Sequence, residues 1–530
     1  MKNVELVNHF FQILIGLDVS EILVCAGARN APLVAGLEGH AFKVKSYFEE
    51  RSAGFYALGR IKATDKPVVV ITTSGTAVAE LLPSVIEAYY QGLPLIVVTA
   101  DRPKTYRGSG APQAIEQTGF FNSYVHKVYD WDVMQTDLKV QFDKKRPLQF
   151  NLCFDEPLID GSFGDKLSDK YVEIEKVTSF KPQITDDRYS ADLEKFKNPL
   201  LILGQLPKEI AQQVRDDLAK FQIYHYAESL SGLLGDPQLS RLQFNNAETL
   251  LGTFLTKNIF TSVVRIGGVP TARVWRDLEK KLEHIPVLSI SDVPFTGLAR
   301  KSFHADYSVL KQVLNNIEFQ KNDLAVLNKT LQAKKVTALT ELRNSEQNFI
   351  FGLSDIIKNQ PVYIGNSLPI REWDLFSQGA FPETYGNRGA NGIDGQLSTY
   401  LGWANIFDLS WAIVGDLTAM YDLSSLGLNR GENKSAHKCI VIINNKGGQI
   451  FKKVFNHEKF LNTHDIEFSH WAQMWGWNYE LIVDFSDLEK IKSISAKREL
   501  RNYVIEIQTD QTQSDAVWKY MEDACKAVTF

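Results

Sequence analysis

The stretch WAIVGDLTAMYDLSSLGLNRGENKSAHKCIVIINNKGGQIF, residues 411–451, decides the fold. Residues 410–414 and 439–443 are short apolar runs with the continuous, β-branched character of strands buried in a parallel sheet. Residues 418–428 between them have helical spacing, so the stretch predicts a strand–helix–strand unit. Open α/β sheets bind ligands at the carboxyl ends of their strands. We therefore expect a functional site where these two strands end.

Polar residues follow both predicted strands and could supply oxygen ligands. Asp416 offers a carboxylate, Asn445 an amide oxygen and Gly447 a backbone carbonyl. Mg²⁺ prefers such ligands, with one or two carboxylates and the rest from carbonyls, water and substrate phosphates. The neighbouring glycines allow a diphosphate to approach the main chain and a helix N-terminus. A Gly-Asp pair alone would be explained as a helix cap, but its Asn-Asn-Lys-Gly-Gly partner favours a Mg²⁺ site.

Length, composition and charge describe an ordinary globular chain. At 530 residues it is too long for one core, which predicts several domains. Hydrophobic residues make up 44%, charged residues 23%, and the net charge is −5. No basic stripe indicates nucleic acid binding, and no apolar run approaches the ~18 residues that a membrane span needs. Four scattered cysteines lack metal-binding spacing, as expected for reduced thiols of a cytoplasmic protein.

Strand and helix signals alternate along the chain, which predicts an α/β fold with doubly wound parallel sheets. We divide the chain into three such domains in tandem, residues 1–185, 186–340 and 341–530. The central domain lacks a dinucleotide-binding fingerprint. We therefore interpret it as a structural spacer that lends one or two side chains to the site.

The sequence YFEERSAGFYALG, residues 47–59, places Glu50 where a predicted strand gives way to a helix. A helix N-terminus favours a negative charge. A capping carboxylate is therefore the simplest explanation for an isolated glutamate at this position.

Several arginines follow predicted strand ends or stand in glycine-rich loops. The planar guanidinium is suited to bidentate binding of carboxylates and is always charged. A single arginine is more often a surface or salt-bridge residue, but a group of this kind favours an anionic substrate. The candidates are Arg29, Arg102, Arg273, Arg371 and Arg388.

The motifs together resemble those of thiamine diphosphate enzymes. GDLTAMYDL (415–423) and NNKGGQIF (444–451) resemble the cofactor motif of that superfamily, with Leu417 where most members have a glycine. The combination is similar to one branch, the 2-succinyl-5-enolpyruvyl-6-hydroxy-3-cyclohexene-1-carboxylate synthase family of the menaquinone pathway. The resemblance covers most of the first and third domains and is weak in the central one. Its other motifs are ERSAGFYALG (50–59), TSGTA (73–77), TADRP (99–103), GNSLPIR (365–371) and GNRGANGIDG (386–395).

The resemblance implies that thiamine diphosphate is held with Mg²⁺, or Mn²⁺, by Asp416, Asn445 and the carbonyl of Gly447. It implies that Glu50 hydrogen-bonds N1′ of the aminopyrimidine, promotes the imino tautomer and so activates C2 of the thiazolium. Ile393 matches the large apolar residue that keeps the cofactor bent, although it could equally be a core residue. The other implied cofactor-binding residues are Gly75, Gly415, Leu417, Gln449 and Ile450.

The implied reaction is decarboxylation of 2-oxoglutarate and conjugate addition of the resulting succinyl-semialdehyde carbanion to isochorismate. Both substrates are dianions, which gives the arginines a role. Gln113 and Ser367 match polar substrate-binding positions, for which a local turn is nearly as good an explanation. The family builds each active site between two subunits, so we expect a homodimer or a dimer of dimers.

The chain departs from the family pattern at several positions, one of which lies in its first glycine-rich loop. Ala28 replaces a serine whose hydroxyl would hydrogen-bond a substrate carboxylate, Asn391 replaces a common serine, and Arg273 a common lysine. These changes leave open a related thiamine diphosphate carboligase or decarboxylase with another acceptor. A non-catalytic homologue is a further alternative, which the intact Glu50, Asp416 and Asn445 disfavour.

Overall fold

The computed structural model describes residues 2–132, 139–162, 173–178, 193–318, 324–431, 436–455, 457–496 and 502–529. The chain divides into two compact units, each built from more than one segment. The first comprises residues 1–180, 387–408 and 420–436, and the second comprises residues 181–386, 409–419 and 437–530. The predicted boundary at 185/186 lies outside the described residues, and the three-domain division stays a prediction.

The first unit contains a six-stranded parallel sheet with the strand order β2-β1-β3-β4-β7-β5, and a small parallel pair, β6-β8. Strands β3, β4 and β7 are buried along their whole length, because helices and neighbouring elements cover both faces of the sheet. The strands are β1 Glu21–Val24, β2 Lys43–Ser46, β3 Val68–Thr72, β4 Leu95–Asp101, β5 Val128–Trp131, β6 Lys139–Phe142, β7 Leu148–Cys153 and β8 Glu173–Lys176.

The helices of the first unit include Glu50–Thr64, which begins at a proposed site residue, and Gln396–Trp403. They pack closely: a Cβ atom at Gly59 would lie 2.0 Å from the Thr399 carbonyl oxygen, so only glycine permits this contact. The other α-helices described in this unit are Asn3–Gly16, Ala31–Gly36, Thr76–Glu80 and Leu82–Gln91. The close packing fixes the helix that begins at Glu50.

The second unit contains two parallel sheets, a five-stranded one with the order β10-β9-β11-β12-β13 and a six-stranded one with the order β15-β14-β16-β17-β19-β18. The strands of the first are β9 Pro199–Leu203, β10 His225–Ala227, β11 Ser262–Ile266, β12 Val287–Ile290 and β13 Phe303–Ala305. Those of the second are β14 Val362–Ile364, β15 Thr384–Tyr385, β16 Leu409–Gly415, β17 His437–Asn444, β18 Asn478–Ile482 and β19 Tyr503–Gln508. Several parallel sheets with flanking helices confirm the predicted α/β fold class.

Helices surround both sheets of the second unit. The helix Glu346–Ile356 follows directly on the long helix Leu324–Glu341 and packs on the core of the six-stranded sheet through Phe349, Ile350 and Leu353. The remaining α-helices described in this unit are Lys208–Phe221, Leu251–Thr256, Val274–Asp277, Leu310–Asn316, Leu368–Phe376, Lys452–Phe455, Ser469–Met474, Leu488–Ala496 and Gln511–Lys526. The α-helix Asp416–Tyr421 begins directly after β16.

The strand–helix–strand prediction for residues 410–443 is confirmed for its strands and wrong for the length of its helix. Strands β16 and β17 pair in parallel along their length, from Leu409 opposite His437 to Gly415 opposite Ile443. The α-helix ends at Tyr421, and a 3₁₀ turn follows at Ser425–Asn429. The helix stops because the buried carboxylate of Asp422 accepts hydrogen bonds from the backbone and hydroxyl of Ser398, which fixes the chain in another direction.

Two sequence-based expectations about the environment of the chain concern membranes and thiols. Among the described residues, no helix is both long and apolar enough to cross a membrane. The four cysteines, Cys25, Cys153, Cys439 and Cys525, are buried free thiols.

Candidate cofactor and substrate site

The carboxyl ends of β16 and β17 bring together the residues that the sequence assigned to a metal. Asp416 is 2% exposed and follows β16, and Asn445 and Gly447 follow β17. The Gly447 N–H donates to Asp416 Oδ2 at 2.9 Å, which ties the two strand ends together. At Gly447 φ is +132°, and a Cβ atom there would lie 2.3 Å from the Leu461 carbonyl oxygen. Only glycine fits this turn.

Asn445 presents an oxygen that the described part of the chain leaves unused. Its Nδ2 donates to Glu346 Oε2 at 2.9 Å, whereas its Oδ1 is buried without a hydrogen-bond partner among the described residues. A buried polar atom is normally hydrogen-bonded, so an unpartnered one requires an explanation. An amide oxygen beside a buried carboxylate suits a divalent cation that takes oxygen ligands.

The environment of Asp416 also fits a cation. Burial raises the pKa of Asp416, and hydrogen bonds from the backbone N–H groups of Gly447 and Leu417 oppose this. The imidazole Nε2 of His464 lies 3.2 Å from Asp416 Oδ2. Within the described residues no group of three or more His, Cys, Asp or Glu side chains could hold a metal. A metal here would therefore depend on one carboxylate together with amide and carbonyl oxygens.

The other predicted cofactor residues of the second unit line the same strand ends. The Leu417 N–H donates to Asp416 Oδ1 at 2.6 Å, and Gln449 Nε2 donates to the Asn445 carbonyl oxygen at 3.2 Å. A Cβ atom at Gly415 would meet no atom within 4 Å, so the strand end there is open. Gln449 and Ile450 also line a cavity described below.

Glu50 is the first residue of its helix, but it is not the residue that caps it. Glu49 is the N-cap: its carboxylate accepts from the backbone N–H groups of Arg51 and Ser52, each at 3.0 Å. Glu50 is half-buried, and Thr72 Oγ1 donates to its Oε1 at a long 3.4 Å. Burial raises the pKa of Glu50, with smaller contributions from the charges of Glu49 and Glu80. The capping explanation for Glu50 is therefore wrong.

Gly75 and Gln113 lie side by side in the first unit. The Cβ of Gln113 is 3.2 Å from the position that a Cβ atom would take at Gly75. The Gly75 N–H donates to Gln117 Oε1 at 3.3 Å. Gln117, which the sequence analysis missed, is 1% exposed and donates to Asn151 Oδ1 at 2.7 Å. A buried amide network thus supports the loop that carries Gly75.

The five candidate arginines divide between the two units. Arg29, Arg102 and Arg388 belong to the first unit, and Arg273 and Arg371 to the second. Arg29 is 7% exposed and donates to the Phe154 carbonyl oxygen at 3.1 Å. Arg102 donates through Nε to the Pro112 carbonyl oxygen at 3.0 Å. Both therefore have roles in local structure, which sequence alone did not predict.

The loop of Arg388 is held by a buried carboxylate that the sequence analysis also missed. Glu87 is 3% exposed and accepts from the N–H groups of Gly389 at 2.8 Å and Ala390 at 2.6 Å. Burial raises the pKa of Glu87, and these two hydrogen bonds and the charge of Arg388 oppose that shift. Ile393, in the same glycine-rich segment, is half-buried rather than part of the core.

Arg273 and Arg371 line one cavity of about 510 Å³ in the second unit. Arg276, one helical turn after Arg273, lines it too, and the spacing of three residues was a signal for it. Burial and the charge of Arg276 lower the pKa of Arg371. Ser367 does not line this cavity; its carbonyl oxygen accepts from Arg371 Nη1 at 2.6 Å.

The wall of the cavity has basic, acidic and apolar parts. Three guanidinium groups can each bind a carboxylate. Acidic side chains line other parts of the wall, so the cavity as a whole is not positively charged. They are Glu248, Glu346, Glu372, Asp374, Asp515 and Glu522. Apolar side chains from the segment after β17 form another part of its wall. They are Ile450, Phe451, Val454 and Phe455.

Comparison with known proteins agrees with this geometry. Residues 4–120 match the family described as thiamine pyrophosphate enzyme, N-terminal TPP binding domain. A 2-succinyl-5-enolpyruvyl-6-hydroxy-3-cyclohexene-1-carboxylate synthase of Bdellovibrio bacteriovorus is 45% identical over 489 residues, or 91% of this chain and 92% of that protein. Synthases of the same name from Akkermansia muciniphila and Trichodesmium erythraeum are 33% and 29% identical, over 94% and 95% of this chain and 95% and 94% of those proteins.

The domain match covers the N-terminal part of the chain, and the similarity to whole synthases covers nearly all of it. The domain match includes Glu50 and Gly75, and the similarity to whole synthases extends over nearly the full chain, with shares above nine-tenths in both directions. The chain belongs to the 2-succinyl-5-enolpyruvyl-6-hydroxy-3-cyclohexene-1-carboxylate synthase family of thiamine diphosphate-dependent enzymes.

Proposed function

We propose that this enzyme decarboxylates 2-oxoglutarate and joins the remaining four-carbon unit to isochorismate in the menaquinone pathway. The product would be 2-succinyl-5-enolpyruvyl-6-hydroxy-3-cyclohexene-1-carboxylate. The observation that carries the proposal is that Asp416 and Asn445 follow adjacent parallel strands, and that Asn445 Oδ1 is buried without a hydrogen-bond partner among the described residues. Family membership supports the same conclusion.

Asp416, Asn445 and the carbonyl of Gly447 would hold Mg²⁺, or Mn²⁺, and through it the diphosphate. Gly415, Leu417, Gln449 and Ile450 would surround the cofactor at the strand ends, and Gly75 and Ile393 are further proposed cofactor-binding residues. Thiamine diphosphate supplies the electron sink for decarboxylation and for formation of the new carbon–carbon bond. The chain itself positions the reactants, neutralises their charges and moves protons.

Glu50 would hold the proton shared with N1′ of the aminopyrimidine. Its carboxylate does not cap the helix, because Glu49 does so. Its pKa is raised by burial, which suits a group that must exchange a proton near neutral pH. These two features support Glu50 as the catalytic residue.

The arginines would neutralise the two dianionic substrates. In the cavity of the second unit, Arg273 and Arg371 could bind substrate carboxylates, and its apolar wall could contact a ring. Arg29, Arg102, Arg388, Gln113 and Ser367 are the remaining proposed substrate-binding residues. Of these, Arg29 and Arg102 would have to exchange a carbonyl partner for substrate or bind it with their other N–H groups.

We propose further that the enzyme is a cytoplasmic homodimer or dimer of dimers. Each subunit would contain the domains 1–185, 186–340 and 341–530. The Glu50-bearing domain of one subunit would face the Asp416-bearing domain of another, so that each active site requires two chains.

The reaction can be tested directly with purified protein, thiamine diphosphate, Mg²⁺, 2-oxoglutarate and isochorismate. We expect carbon dioxide and a joined product, measured by mass spectrometry, in equal amounts. Asp416→Ala serves as the matched control and should form neither. Carbon dioxide without a joined product would contradict the proposal.

That contradicting result would favour a related carboligase or decarboxylase with a different acceptor. The alanine at position 28 is the specific observation that supports this second candidate, because it lacks the serine hydroxyl of the family pattern. A screen of 2-oxoacids and aldehydes as acceptors would then identify the second substrate.

A further inference from the structure

Two consecutive asparagines at the end of β17, Asn444 and Asn445, are each held by a buried glutamate. Asn444 Nδ2 donates to Glu506 Oε1 at 2.8 Å, and Asn445 Nδ2 donates to Glu346 Oε2 at 2.9 Å. Glu506 is 0% exposed and Glu346 is 1% exposed. Removing a carboxylate from water costs free energy, and well-formed hydrogen bonds must offset that cost.

The two asparagines differ in what their oxygens do. Asn444 Oδ1 accepts from the Lys446 N–H at 3.2 Å and so closes the turn. Asn445 Oδ1 has no partner among the described residues, although it is buried. The bond to Glu506 therefore serves the turn, whereas the bond to Glu346 leaves a free oxygen.

The bond to Glu346 also fixes which end of the Asn445 amide is free. Glu346 Oε2 accepts this bond, and an amide donates only through its nitrogen. Glu346 therefore selects the orientation in which Oδ1 points away from it. Without that acceptor, the two ends of the amide would be free to exchange.

The surroundings of Glu346 support this role. Its neighbour Glu372, on the helix Leu368–Phe376, is 0% exposed and receives a hydrogen bond from Gln347 Nε2 at 2.5 Å. Burial and the adjacent Glu346 carboxylate raise the pKa of Glu372 well above its usual range. Glu346 Oε1 is buried without a hydrogen-bond partner among the described residues, so Oε2 makes the contact that orients Asn445.

We propose that Glu346 is a positioning residue of the metal site, which accepts a hydrogen bond from Asn445 Nδ2 and thereby presents Oδ1 to the divalent cation. This inference rests on the proposed function, in which Asn445 is a metal ligand. Residues that orient a metal ligand in this way typically change metal affinity by about 10–100-fold when they are replaced.

The test measures metal binding and does not depend on turnover. Apo-protein with a fixed concentration of thiamine diphosphate is titrated with Mg²⁺, and cofactor binding is followed by intrinsic tryptophan fluorescence or calorimetry. Glu346→Leu should raise the Mg²⁺ midpoint at least about 10-fold. Glu346→Gln should stay within about 3-fold of wild type, because its Oε1 can still accept from Asn445.

Glu506→Leu is the matched control. It removes an equally buried glutamate from the neighbouring asparagine. Glu506 also accepts from the Phe468 N–H and the Tyr479 hydroxyl, so the stability cost should be at least as large as for Glu346→Leu. Its Mg²⁺ midpoint should stay close to that of wild type, even where its melting temperature falls. Equal increases in the Mg²⁺ midpoint for Glu346→Leu and Glu506→Leu would overturn the positioning role.

If Glu346→Leu does not fold, the proposal can be tested by exchanging the carboxylate and the amide between positions 346 and 445. Asn445→Asp alone places two carboxylates together and should lose Mg²⁺ binding. In Glu346→Gln with Asn445→Asp, the glutamine N–H would donate to the aspartate, which keeps its second oxygen for the metal. Recovery of Mg²⁺ binding in the double variant relative to Asn445→Asp supports the proposal, and absence of recovery overturns it.

Failure of this inference is distinguishable from failure of the proposed function. A Glu346→Leu protein that folds and binds Mg²⁺ with the wild-type midpoint would overturn the positioning role, whatever reaction the enzyme performs. A wild-type protein that binds the cofactor but joins no substrates would overturn the proposed reaction. In that case a raised midpoint in Glu346→Leu would still support the role of Glu346.

Discussion

Glu49 and Glu50 are adjacent at the start of one helix, and only Glu49 is bound to the helix end. The Glu49 carboxylate accepts from two backbone N–H groups at 3.0 Å and from Ser424 Oγ at 2.9 Å. The Glu50 carboxylate accepts from Thr72 Oγ1 at a long 3.4 Å and from its own backbone N–H. The structure thus assigns the structural role to one glutamate and leaves the other available to the cofactor.

This difference predicts opposite effects of two similar substitutions. Glu50→Gln should keep the fold and cofactor binding but reduce kcat by about 100-fold or more, because a neutral amide cannot take the proton. Glu49→Gln should lower the free energy of unfolding by about 1 kcal/mol through the weakened cap and retain most turnover. Steady-state kinetics and urea unfolding of both variants provide the measurement. Unchanged turnover in Glu50→Gln would remove Glu50 from its proposed role.

Two of the proposed substrate-binding arginines, Arg371 in the cavity and Arg388 in the first unit, predict effects on substrate binding rather than on stability. Arg371→Ala and Arg388→Ala should raise a substrate KM by about 10–100-fold, since a hydrogen bond to a charged group contributes roughly 1.5–3 kcal/mol. Arg241→Ala, at an exposed arginine that does not line the cavity, is the control. Wild-type kinetics for Arg371→Ala and Arg388→Ala would indicate that both arginines are structural.

The buried Asp422 predicts a pH dependence of stability. Burial raises its pKa to about 6, against about 3.9 in an unfolded chain. Between these values the folded protein keeps a proton that the unfolded chain has released, so stability falls as pH rises through this range. Asp422→Asn lacks this titrating carboxyl group. Between about pH 5 and 7.5, the free energy of unfolding of wild type should therefore fall by roughly 1–2 kcal/mol relative to that of the variant.

Urea unfolding of wild type and Asp422→Asn at both pH values provides the measurement. The hydrogen bonds from Ser398 are altered in the variant at every pH, so only the change in the difference between the two proteins is informative. A difference that stays constant from pH 5 to 7.5 would contradict the raised pKa of Asp422.

Sequence periodicity predicted the parts of the fold that depend on neighbouring residues. The strands β16 and β17 are continuous apolar runs, and their parallel pairing brings Asp416 and Gly447 within hydrogen-bond distance at one sheet edge. The metal-site candidates follow from this short-range pattern. The length of the helix after Asp416 does not, because Asp422 is bound by Ser398 from a distant part of the sequence.

The sequence analysis also missed Glu87 and Glu346, because the partners of these two supporting residues are far away in the sequence. Glu87 holds the backbone after Arg388, and Glu346 holds Asn445, over separations of about 300 and 99 residues. A glutamate in a helix gives no local sign of such a partner. For Arg29 the opposite happened. Its glycine-rich loop suggested substrate binding, whereas in the structure its side chain donates to the Phe154 carbonyl oxygen.

The central claim is that Glu50 of one subunit and Asp416 of another act on the same cofactor. Complementation between Glu50→Gln and Asp416→Ala, each inactive alone, tests this most directly. In a mixed dimer one site would carry both substitutions and the other neither. Unfolding or dissociating the two proteins together and reassembling them should therefore restore about a quarter of wild-type turnover, because half of the dimers are mixed and each has one intact site. A mixture that reassembles into mixed dimers and remains inactive would contradict the claim.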